Sequence, residues 1–364
     1  MDATTGILTF INTINYGAEL QAFALCKQLN TLGLKSEIIN YSCHRIQDRE
    51  TPKLPGWADI RNPKRCVGMA LKYPELKRRS AAFESFRRSH TPIGRSVNGA
   101  NEIINRYDNI VVGSDQVWCH SITGGDDTFF VPGDKSNCRR VISYAASFGD
   151  EDMPELFRDQ TRSYLSDFDR IGLREKAATG ILSSIGVTTP ASINVDPTLL
   201  LDRTTWSGVA GPRVENDKYV FAYMVSESGR TREVAKRIAE KQSLRLRYIE
   251  AYGRQPFTGA ENMGFSSPSD FLALIRDAEF IVTSSFHGMC FSIIFNKPFR
   301  YVIPSGNRKS RLYNLAKELG LTHLDDADVD TIRAIDYEHV NEQIEKLRRE
   351  SIEYLADALL TPLA

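Results

Sequence analysis

Short apolar runs alternate with segments of helical periodicity along most of this chain, and this alternation limits the possible folds more than any other feature. Residues 6–10 form an apolar run, residues 17–32 place apolar side chains at helical spacing, and residues 36–41 form the next run. A strand, a helix and a second strand in this order make the β-α-β unit of parallel sheets. The chain is therefore predicted to be an α/β protein.

The alternation forms two series with a stretch of different composition between them. In the first series, further strands are predicted at residues 108–114, 140–148, 170–173 and 193–195. Residues 207–217 carry Gly, Pro and charged side chains without periodicity, which is typical of a linker. In the second series, strands are predicted at residues 219–225, 244–250, 280–284 and 299–303, and helices at residues 231–242, 268–277, 287–296, 307–319 and 340–360.

Two such series in tandem favour two Rossmann-like domains, each built on a doubly wound parallel sheet. Ligands of these sheets bind beyond the carboxyl ends of the strands, so the sheets are expected to face a cleft that holds the active site. The predicted parts are an N-terminal domain at 1–206 with a basic helical insertion near 44–95, a linker at 207–217, a C-terminal domain at 218–335, and a final helix at 336–364 that packs back on the N-terminal domain.

The overall charge is balanced, because 46 basic residues accompany 46 acidic ones. A nucleic-acid-binding protein usually has a basic excess, so this class is disfavoured and no nucleic acid partner is predicted. The sequence has neither the pattern of a signal peptide nor an apolar run long enough to span a membrane. Its six cysteines form no zinc-like cluster, which indicates reduced thiols, a cytoplasmic location and no metal site.

Two stretches near the amino end follow predicted strands. In NTINYGAE, residues 12–19, Asn15 suits a helix cap, and a helix N-terminus can hold an anion, although a capped turn is favoured on these residues alone. In VVGSDQVW, residues 111–118, Asp115 and Gln116 could bind sugar hydroxyls, and Asp115 could accept a proton. An aspartate-capped turn explains this second stretch about equally well.

Two cationic stretches also follow predicted strands. Arg174 is suited to clamp a carboxylate or phosphate, and a surface ion pair with Glu175 or Asp169 is the alternative. NRKSR, residues 307–311, opens a helix with three cations, although helix N-termini prefer anions. This conflict indicates a bound polyanion or dianion, and a solvated basic turn explains the pattern about equally well.

The strongest local pattern is TSSFHG, residues 283–288, where an apolar strand gives way to an apolar helix. His287 is expected at the start of this helix, and imidazole groups titrate near neutrality, which suits a general acid or base. A lone histidine is more often structural than catalytic. Here Ser284, Ser285 and Gly288 surround it at the end of a strand, and a catalytic role is favoured.

With these segments identified, the chain resembles the polysaccharide pyruvyl transferase family across both predicted domains. The resemblance implies a fold similar to the glycosyltransferase B (GT-B) fold. It also implies transfer of pyruvate from phosphoenolpyruvate to two hydroxyls of a sugar, which forms a cyclic ketal and releases phosphate. The implied acceptor is a sugar of a cell-surface polysaccharide or exopolysaccharide, or its lipid-linked precursor. The matching blocks are GILTFINTINYGAELQAFAL, NIVVGSDQVW, ISYAASFG, IGLREK, VDPTLLL, TSSFHGMCFSIIFNKPF and SRLYNLAKELGL.

The resemblance also implies roles for individual residues. His287 matches the family's histidine and is assigned as the acid that protonates the donor, and Asp115 is assigned as the base. Phosphoenolpyruvate is the co-substrate, and neither a further cofactor nor a metal is predicted. The predicted donor-binding residues are Arg174, Ser284, Ser285, Gly288, Arg308, Lys309, Ser310 and Arg311, and the predicted acceptor-binding residues are Asn15, Tyr16, Gly17, Ser114 and Gln116.

The chain departs from the family at one position that bears on the donor. Many members carry arginine two residues before the histidine, where this chain has Ser285. Another cation must then bind the donor, and Arg308 or Arg311 is expected to replace it.

Three other functions are compatible with parts of this pattern. A glycosyltransferase with a nucleotide-sugar donor would share the fold, and fold alone does not separate the two activities. A non-catalytic glycan-binding protein would not depend on His287. Residues 61–90 carry many cations, which indicates a surface helix that could touch an anionic membrane or a lipid diphosphate.

Overall fold

The computed structural model of the chain describes residues 4–56, 62–149, 152–213, 217–251, 256–303, 311–327 and 333–361. The chain divides into two units. The first contains Met1–Thr51, Phe83–Leu201 and Lys346–Ala364, and the second contains Pro52–Ala82 and Asp202–Glu345. Residues 52–82 were predicted to lie in the N-terminal domain, whereas their contacts place them in the second unit.

The first unit is built on a seven-stranded parallel sheet with the strand order β3-β2-β1-β4-β5-β6-β7. The strands are Thr4–Leu8 (β1), Lys35–Tyr41 (β2), Ile93–Val97 (β3), Asn109–Val112 (β4), Arg140–Ala146 (β5), Arg170–Leu173 (β6) and Ala191–Ile193 (β7). The helices between them are Tyr16–Thr31 (α1), His44–Glu50 (α2), Pro63–His90 (α3), Ala100–Ile104 (α4), His120–Thr123 (α5), Glu155–Ser166 (α6) and Ala177–Ile185 (α7).

Neighbouring residues of each central strand enter different hydrophobic clusters, as expected for a sheet that is covered on both faces. Ile7 of β1 packs in one cluster and Leu8 in the other, and Val111 and Val112 of β4 divide in the same way. This burial explains why these strands are continuous apolar runs in the sequence.

The second unit is built on a five-stranded parallel sheet with the order β10-β9-β8-β11-β12. Its strands are Tyr219–Met224 (β8), Arg245–Glu250 (β9), Glu261–Asn262 (β10), Phe280–Thr283 (β11) and Phe299–Tyr301 (β12). Its helices are Arg203–Val209 (α8), Ser228–Gln242 (α9), Pro268–Asp277 (α10), Phe286–Ile294 (α11) and Arg311–Glu318 (α12). The last helix is Tyr337–Leu360 (α13), and its residues from Lys346 onward belong to the first unit.

The predicted alternation is confirmed along both sheets, with two main differences. Residues 93–97 form β3 at the edge of the first sheet, where no strand was predicted. The predicted linker at 207–217 begins inside α8, whose helix is capped by Asp202 and anchored by the fully buried Trp206. Among the described residues, no helix is long and apolar enough to span a membrane.

Candidate active site

The strand order of each sheet reverses at one point, and parallel sheets open a ligand crevice at such a point. In the first sheet the reversal lies between β1 and β4, and in the second between β8 and β11. Residues 12–17, 113–118 and 284–288, three of the predicted site segments, follow β1, β4 and β11 and reach into the first turns of α1 and α11. Each sheet therefore carries predicted site residues at its own reversal point.

Charged side chains follow neighbouring strands of the first sheet. Asp115 follows β4, Ser147 follows β5, Arg174 and Glu175 follow β6, and Asp196 follows β7. Because the carboxyl ends of parallel strands share one edge of a sheet, these residues meet although they are distant in sequence. The Ser147 hydroxyl donates to the Glu175 carboxylate, which closes the cluster on one side.

Arg174 lies at the centre of this cluster, and its side chain is 3% exposed. Its Nη1 donates to Asp196 Oδ2 at 3.2 Å, and its Nη2 lies 3.5 Å from Asp115 Oδ1. Its Nε lies 3.5 Å from Glu175 Oε2. Burial lowers the pKa of Arg174, but the carboxylates of Glu175, Asp115 and Asp196 raise it above its ordinary value. The guanidinium is therefore a fixed cation among three carboxylates.

This charge balance bears on what the first unit can bind. Three carboxylates surround one guanidinium, so the cluster is acidic and repels a polyanion. Arg174 was predicted to bind the donor, but its guanidinium is already surrounded by Asp115, Glu175 and Asp196. A neutral ligand with hydroxyl groups suits this cluster better than phosphoenolpyruvate does.

The loop after β4 holds Asp115 in a fixed orientation. Gly113 has a φ of +114°, and a side chain there would collide with the Tyr144 carbonyl oxygen, so the turn requires glycine. The backbone of Ser147 donates to the Asp115 carbonyl at 3.0 Å, and Trp118 N donates to the Ser147 carbonyl at 3.2 Å. The loop is thereby bonded to the end of β5, which aims the Asp115 carboxylate at Arg174.

Ser114 and Gln116, which flank this aspartate, were predicted to contact the acceptor. Ser114 is fully buried, and its carbonyl accepts from Thr9 Oγ1 at 3.0 Å. Its hydroxyl has no hydrogen-bond partner among the described residues. Gln116 is half-buried, and its Nε2 lies beside Gly149. Gln116 can therefore contact a ligand directly, whereas Ser114 is buried inside the unit and cannot.

The loop after β1 has a structural explanation for each of its predicted acceptor residues. Asn15 caps α1, and its Oδ1 accepts from Gly17 N at 2.9 Å and from Ala18 N at 3.4 Å. Tyr16 is fully buried, with its ring centroid 4.8 Å from that of Phe83. The predicted contact of Tyr16 with an acceptor is incompatible with this burial, and the capped turn favoured from the sequence is confirmed.

A buried ion pair tethers this loop to α3. Arg87 Nη1 lies 2.7 Å from Glu19 Oε2 and also donates to the Thr13 carbonyl at 3.2 Å. Burial raises the pKa of Glu19 to about 7, while the charge and hydrogen bond of Arg87 act in the opposite direction. The pair fixes the backbone next to the reversal point of the first sheet.

In the second unit, β11 passes directly into α11. Ser285 caps this helix, because its Oγ accepts from Gly288 N at 3.3 Å, and its own N–H donates to Thr283 Oγ1 at 3.0 Å. His287 is the second residue of the helix, is 8% exposed, and has its ring centroid 5.4 Å from that of Phe286. The prediction that His287 lies at a helix start is confirmed.

The two serines before His287 bond to the backbone of their own unit. Ser284 Oγ accepts from the backbone N–H groups of Val225 and Ser226, each at 3.2 Å, and donates to the Ser226 carbonyl. It therefore joins the ends of β8 and β11 across the reversal point. Ser285 is the helix cap. This chain therefore has a capping hydroxyl at the position where many members of the resembled family have arginine.

Gly288 was predicted to allow close approach of the donor, but its surroundings give a packing reason for glycine. A Cβ at this position would collide with Thr283 Oγ1 and would lie 3.0 Å from Tyr223 Cδ1. We expect Gly288→Ala to lower the free energy of unfolding by about 1–3 kcal/mol, as overpacking does, in urea denaturation followed by circular dichroism.

Gly180→Ala in α7 is the matched control for this substitution. A Cβ at Gly180 meets nothing within 4 Å, so its alanine should be neutral or should stabilise by about 0.5–1 kcal/mol through helix propensity. Equal stability of the Gly288→Ala variant and wild type would show that the space around Gly288 is open.

A cation of the second unit lies over the ring of Phe286, the residue before His287. The guanidinium carbon of Arg311, the first residue of α12, is 5.7 Å from the ring centroid of Phe286, which precedes His287. Arg308, Lys309 and Ser310 lie outside the described residues. Of the predicted donor-binding cations, Arg311 therefore contacts the segment that contains His287.

His120, in the first unit, is a half-buried histidine whose ring packs like that of an aromatic core residue. Its ring stacks on Phe157 with a centroid distance of 3.7 Å, and neither ring nitrogen has a hydrogen-bond partner among the described residues. Burial lowers the pKa of His120 below its ordinary value of 6.5. The unfolded chain therefore binds a proton at a higher pH than the folded one.

This difference predicts that His120 lowers the stability of the protein as the pH falls through 6.5 toward the folded-state pKa. His120→Phe keeps the stacking and removes the proton. We expect the variant to lose less stability than wild type between pH 7 and pH 5, with a difference in slope of at most about 1.4 kcal/mol per pH unit. Parallel stability curves from urea denaturation at a series of pH values would contradict this account.

Glu175, Asp196 and Ser147 were not among the predicted site residues. Glu175 was considered as an ion-pair partner of Arg174, which it is, but Asp196 and Ser147 carried no signal beyond their position after a strand. Their common position at consecutive strand ends is the signal that could have identified them. Among the described residues, no group of three or more His, Cys, Asp or Glu side chains is arranged to hold a metal ion.

Comparison with known proteins adds a family and a fold. The family described as polysaccharide pyruvyl transferase matches residues 15–306. No curated protein matches the chain in sequence. A glycosyltransferase from Rickettsia africae ESF-5 superposes with a TM-score of 0.52 at 10% identity, over 99% of this chain and 100% of that chain. A UDP-N-acetylglucosamine 2-epimerase superposes with a TM-score of 0.51 at 12% identity, over 98% and 95% of the two chains. Such low identities establish the fold alone, and the predicted GT-B-like fold is confirmed.

Proposed function

Because the chain belongs to the polysaccharide pyruvyl transferase family, it is a transferase, and we propose that its donor is phosphoenolpyruvate and its acceptor a sugar of a cell-surface polysaccharide or its lipid-linked precursor. In the proposed reaction the pyruvyl group bridges two hydroxyls of that sugar as a cyclic ketal, and phosphate leaves.

The position of His287 is the observation that carries the proposal. The histidine stands at the reversal point of the second sheet and in the first turn of α11. A helix N-terminus favours anions, and the Arg311 guanidinium lies on the ring of the neighbouring Phe286. Phosphoenolpyruvate carries a phosphate and a carboxylate, so a positive environment beside a proton donor suits it.

His287 is the proposed general acid. It donates a proton to the methylene carbon of phosphoenolpyruvate, which becomes a methyl group, and the adjacent carbon C2 becomes electrophilic. One sugar hydroxyl attacks C2 and loses its proton to a base. The bond between C2 and the phosphate oxygen then breaks, phosphate leaves with the bonding electrons, and the second hydroxyl attacks C2 with loss of its proton. No oxidant or reductant is consumed.

Asp115 is the proposed base for these attacks, and the acidic cluster around it supports an acceptor with neutral hydroxyl groups. Arg174 lies 3.5 Å from the Asp115 carboxylate and is itself held by Asp196. We therefore assign Arg174 a positioning role for Asp115, and we assign the anionic groups of the donor to Arg311 and to the cations at 308 and 309.

Labelled phosphoenolpyruvate tests this proposal. With label in the pyruvyl carbons, and oligosaccharide acceptors that contain galactose or N-acetylhexosamine, we expect acceptor-dependent incorporation of label with an equal release of phosphate. Release of phosphate without incorporation across the acceptor panel would contradict pyruvyl transfer. Parallel incubations with nucleotide sugars test the rival activity, and transfer of a hexose in them would replace the proposal with a glycosyltransferase.

A further inference from the structure

The first half of α3, which belongs to the second unit, exposes apolar side chains on one face. Val67 is 59% exposed and Leu71 is 76% exposed, and they stand one helical turn apart. Pro74 and Arg78 continue the same exposed line at helical spacing. We refer to Val67, Leu71, Pro74 and Arg78 as the α3 stripe.

A further exposed apolar side chain lies beside this stripe. Phe265 is 55% exposed, in the loop between β10 and α10. The preceding residue, Gly264, lies against α3, since a Cβ there would be 2.6 Å from Glu75 Oε1. Glu75 follows Leu71 by one helical turn, so the exposed Phe265 directly follows a residue that contacts α3 beside the stripe.

The same half-helix is strongly basic although the whole chain is neutral. Residues 63–82 contain six basic residues and one acidic residue, whereas the complete chain has 46 of each sign. Lys77 and Arg78 are both exposed next to the apolar side chains. Exposed apolar side chains beside Lys and Arg are the groups that bind the headgroup region of an anionic membrane.

We propose that the α3 stripe and Phe265 dock the protein on the surface of an anionic lipid bilayer. The apolar side chains enter the headgroup region, and Lys77 and Arg78 bind acidic headgroups. A protein partner fits less well, because a stable protein interface uses about 20–30 residues on each side and this apolar surface consists of a few side chains. Docking on a bilayer is a property separate from pyruvyl transfer, and the proposal does not depend on that activity.

Sedimentation of the full chain with lipid vesicles tests the proposal. We expect binding to vesicles of phosphatidylglycerol and phosphatidylcholine, much weaker binding to phosphatidylcholine alone, and weakening by salt. The double substitution Lys77→Gln with Arg78→Gln should weaken binding about 30-fold, from about fivefold for each basic residue. Val67→Ser with Leu71→Ser should weaken it at least about tenfold through lost apolar burial.

Matched variants elsewhere on the surface provide the controls. Leu156→Ser removes an apolar side chain that is 84% exposed on α6, and Lys218→Gln with Lys236→Gln removes two cations whose side chains are 77% and 63% exposed. These variants should bind vesicles like wild type. Equal binding to neutral and anionic vesicles, or equal losses in the stripe and control variants, would overturn the proposal. So would a stable dimer in analytical ultracentrifugation that Val67→Ser with Leu71→Ser dissociates.

Discussion

His287→Gln is expected to lower kcat for pyruvyl transfer by a factor of about 10² to 10⁴, the usual contribution of general acid catalysis. Glutamine keeps hydrogen-bonding groups of similar size at the second residue of α11 but supplies no proton near neutral pH. Because the Ser285 cap and the Gly288 packing remain, the free energy of unfolding should change by less than about 1 kcal/mol. The KM for phosphoenolpyruvate should change much less than kcat.

Steady-state kinetics beside urea denaturation would separate catalysis from folding. His339→Gln is the control. Because His339 is exposed on α13, this variant should keep both its activity and its stability. A His287→Gln enzyme with wild-type kcat would exclude the histidine as the acid. If the His287→Gln variant loses activity only in proportion to its folded fraction, the role of His287 is structural.

Arg174→Met is expected to lower the free energy of unfolding by about 3–5 kcal/mol, because it leaves buried carboxylates without their cation. Methionine keeps much of the buried side-chain volume, so the loss reports charge rather than a cavity. The carboxylate of Asp196 is fully buried and bonds to Arg174 Nη1, so Asp196→Asn in the same chain should recover part of the loss. Comparison of the double variant with both single variants, including Asp196→Asn alone, measures the coupling between the two residues.

Arg158→Met is the matched control for this substitution. Arg158 pairs with Glu155 on the surface of α6, with side-chain exposures of 32% and 88%, and such pairs contribute at most about 1 kcal/mol. If Arg174→Met were no more destabilising than Arg158→Met, the cluster around Arg174 would not depend on its charge. Survival of kcat in the stable double variant would exclude a positioning role of Arg174 for Asp115.

The sequence predicted most of the fold because both sheets bury their central strands on two faces. Those strands are continuous apolar runs, and the helices between them pack apolar side chains against the sheets. The strand at 93–97 escaped prediction because it lies at an edge and only Val97 is buried, so pairing with β2 rather than its own composition defines it. The start of α8 was missed although Asp202 and the buried Trp206 mark it.

The predicted site residues form two groups: those whose contacts are close in sequence and those whose contacts are distant in sequence. The helix start at His287 and the cap at Asn15 depend on neighbours within a few residues, and the sequence predicted both. Two partners of Arg174, Asp115 and Asp196, follow other strands than Arg174 does, so only the order of strands in the sheet reveals them. The burial of Tyr16 depends on Phe83 of α3, and no local pattern indicates that contact.

Mass spectrometry of the product formed in heavy water tests most directly whether His287 protonates the donor. The proposed mechanism predicts a ketal whose methyl group carries one solvent-derived deuterium, formed by wild type and His339→Gln and slowed about 10² to 10⁴-fold in His287→Gln. A ketal with no deuterium in its methyl group, or equal rates of its formation with and without the imidazole, would contradict the mechanism.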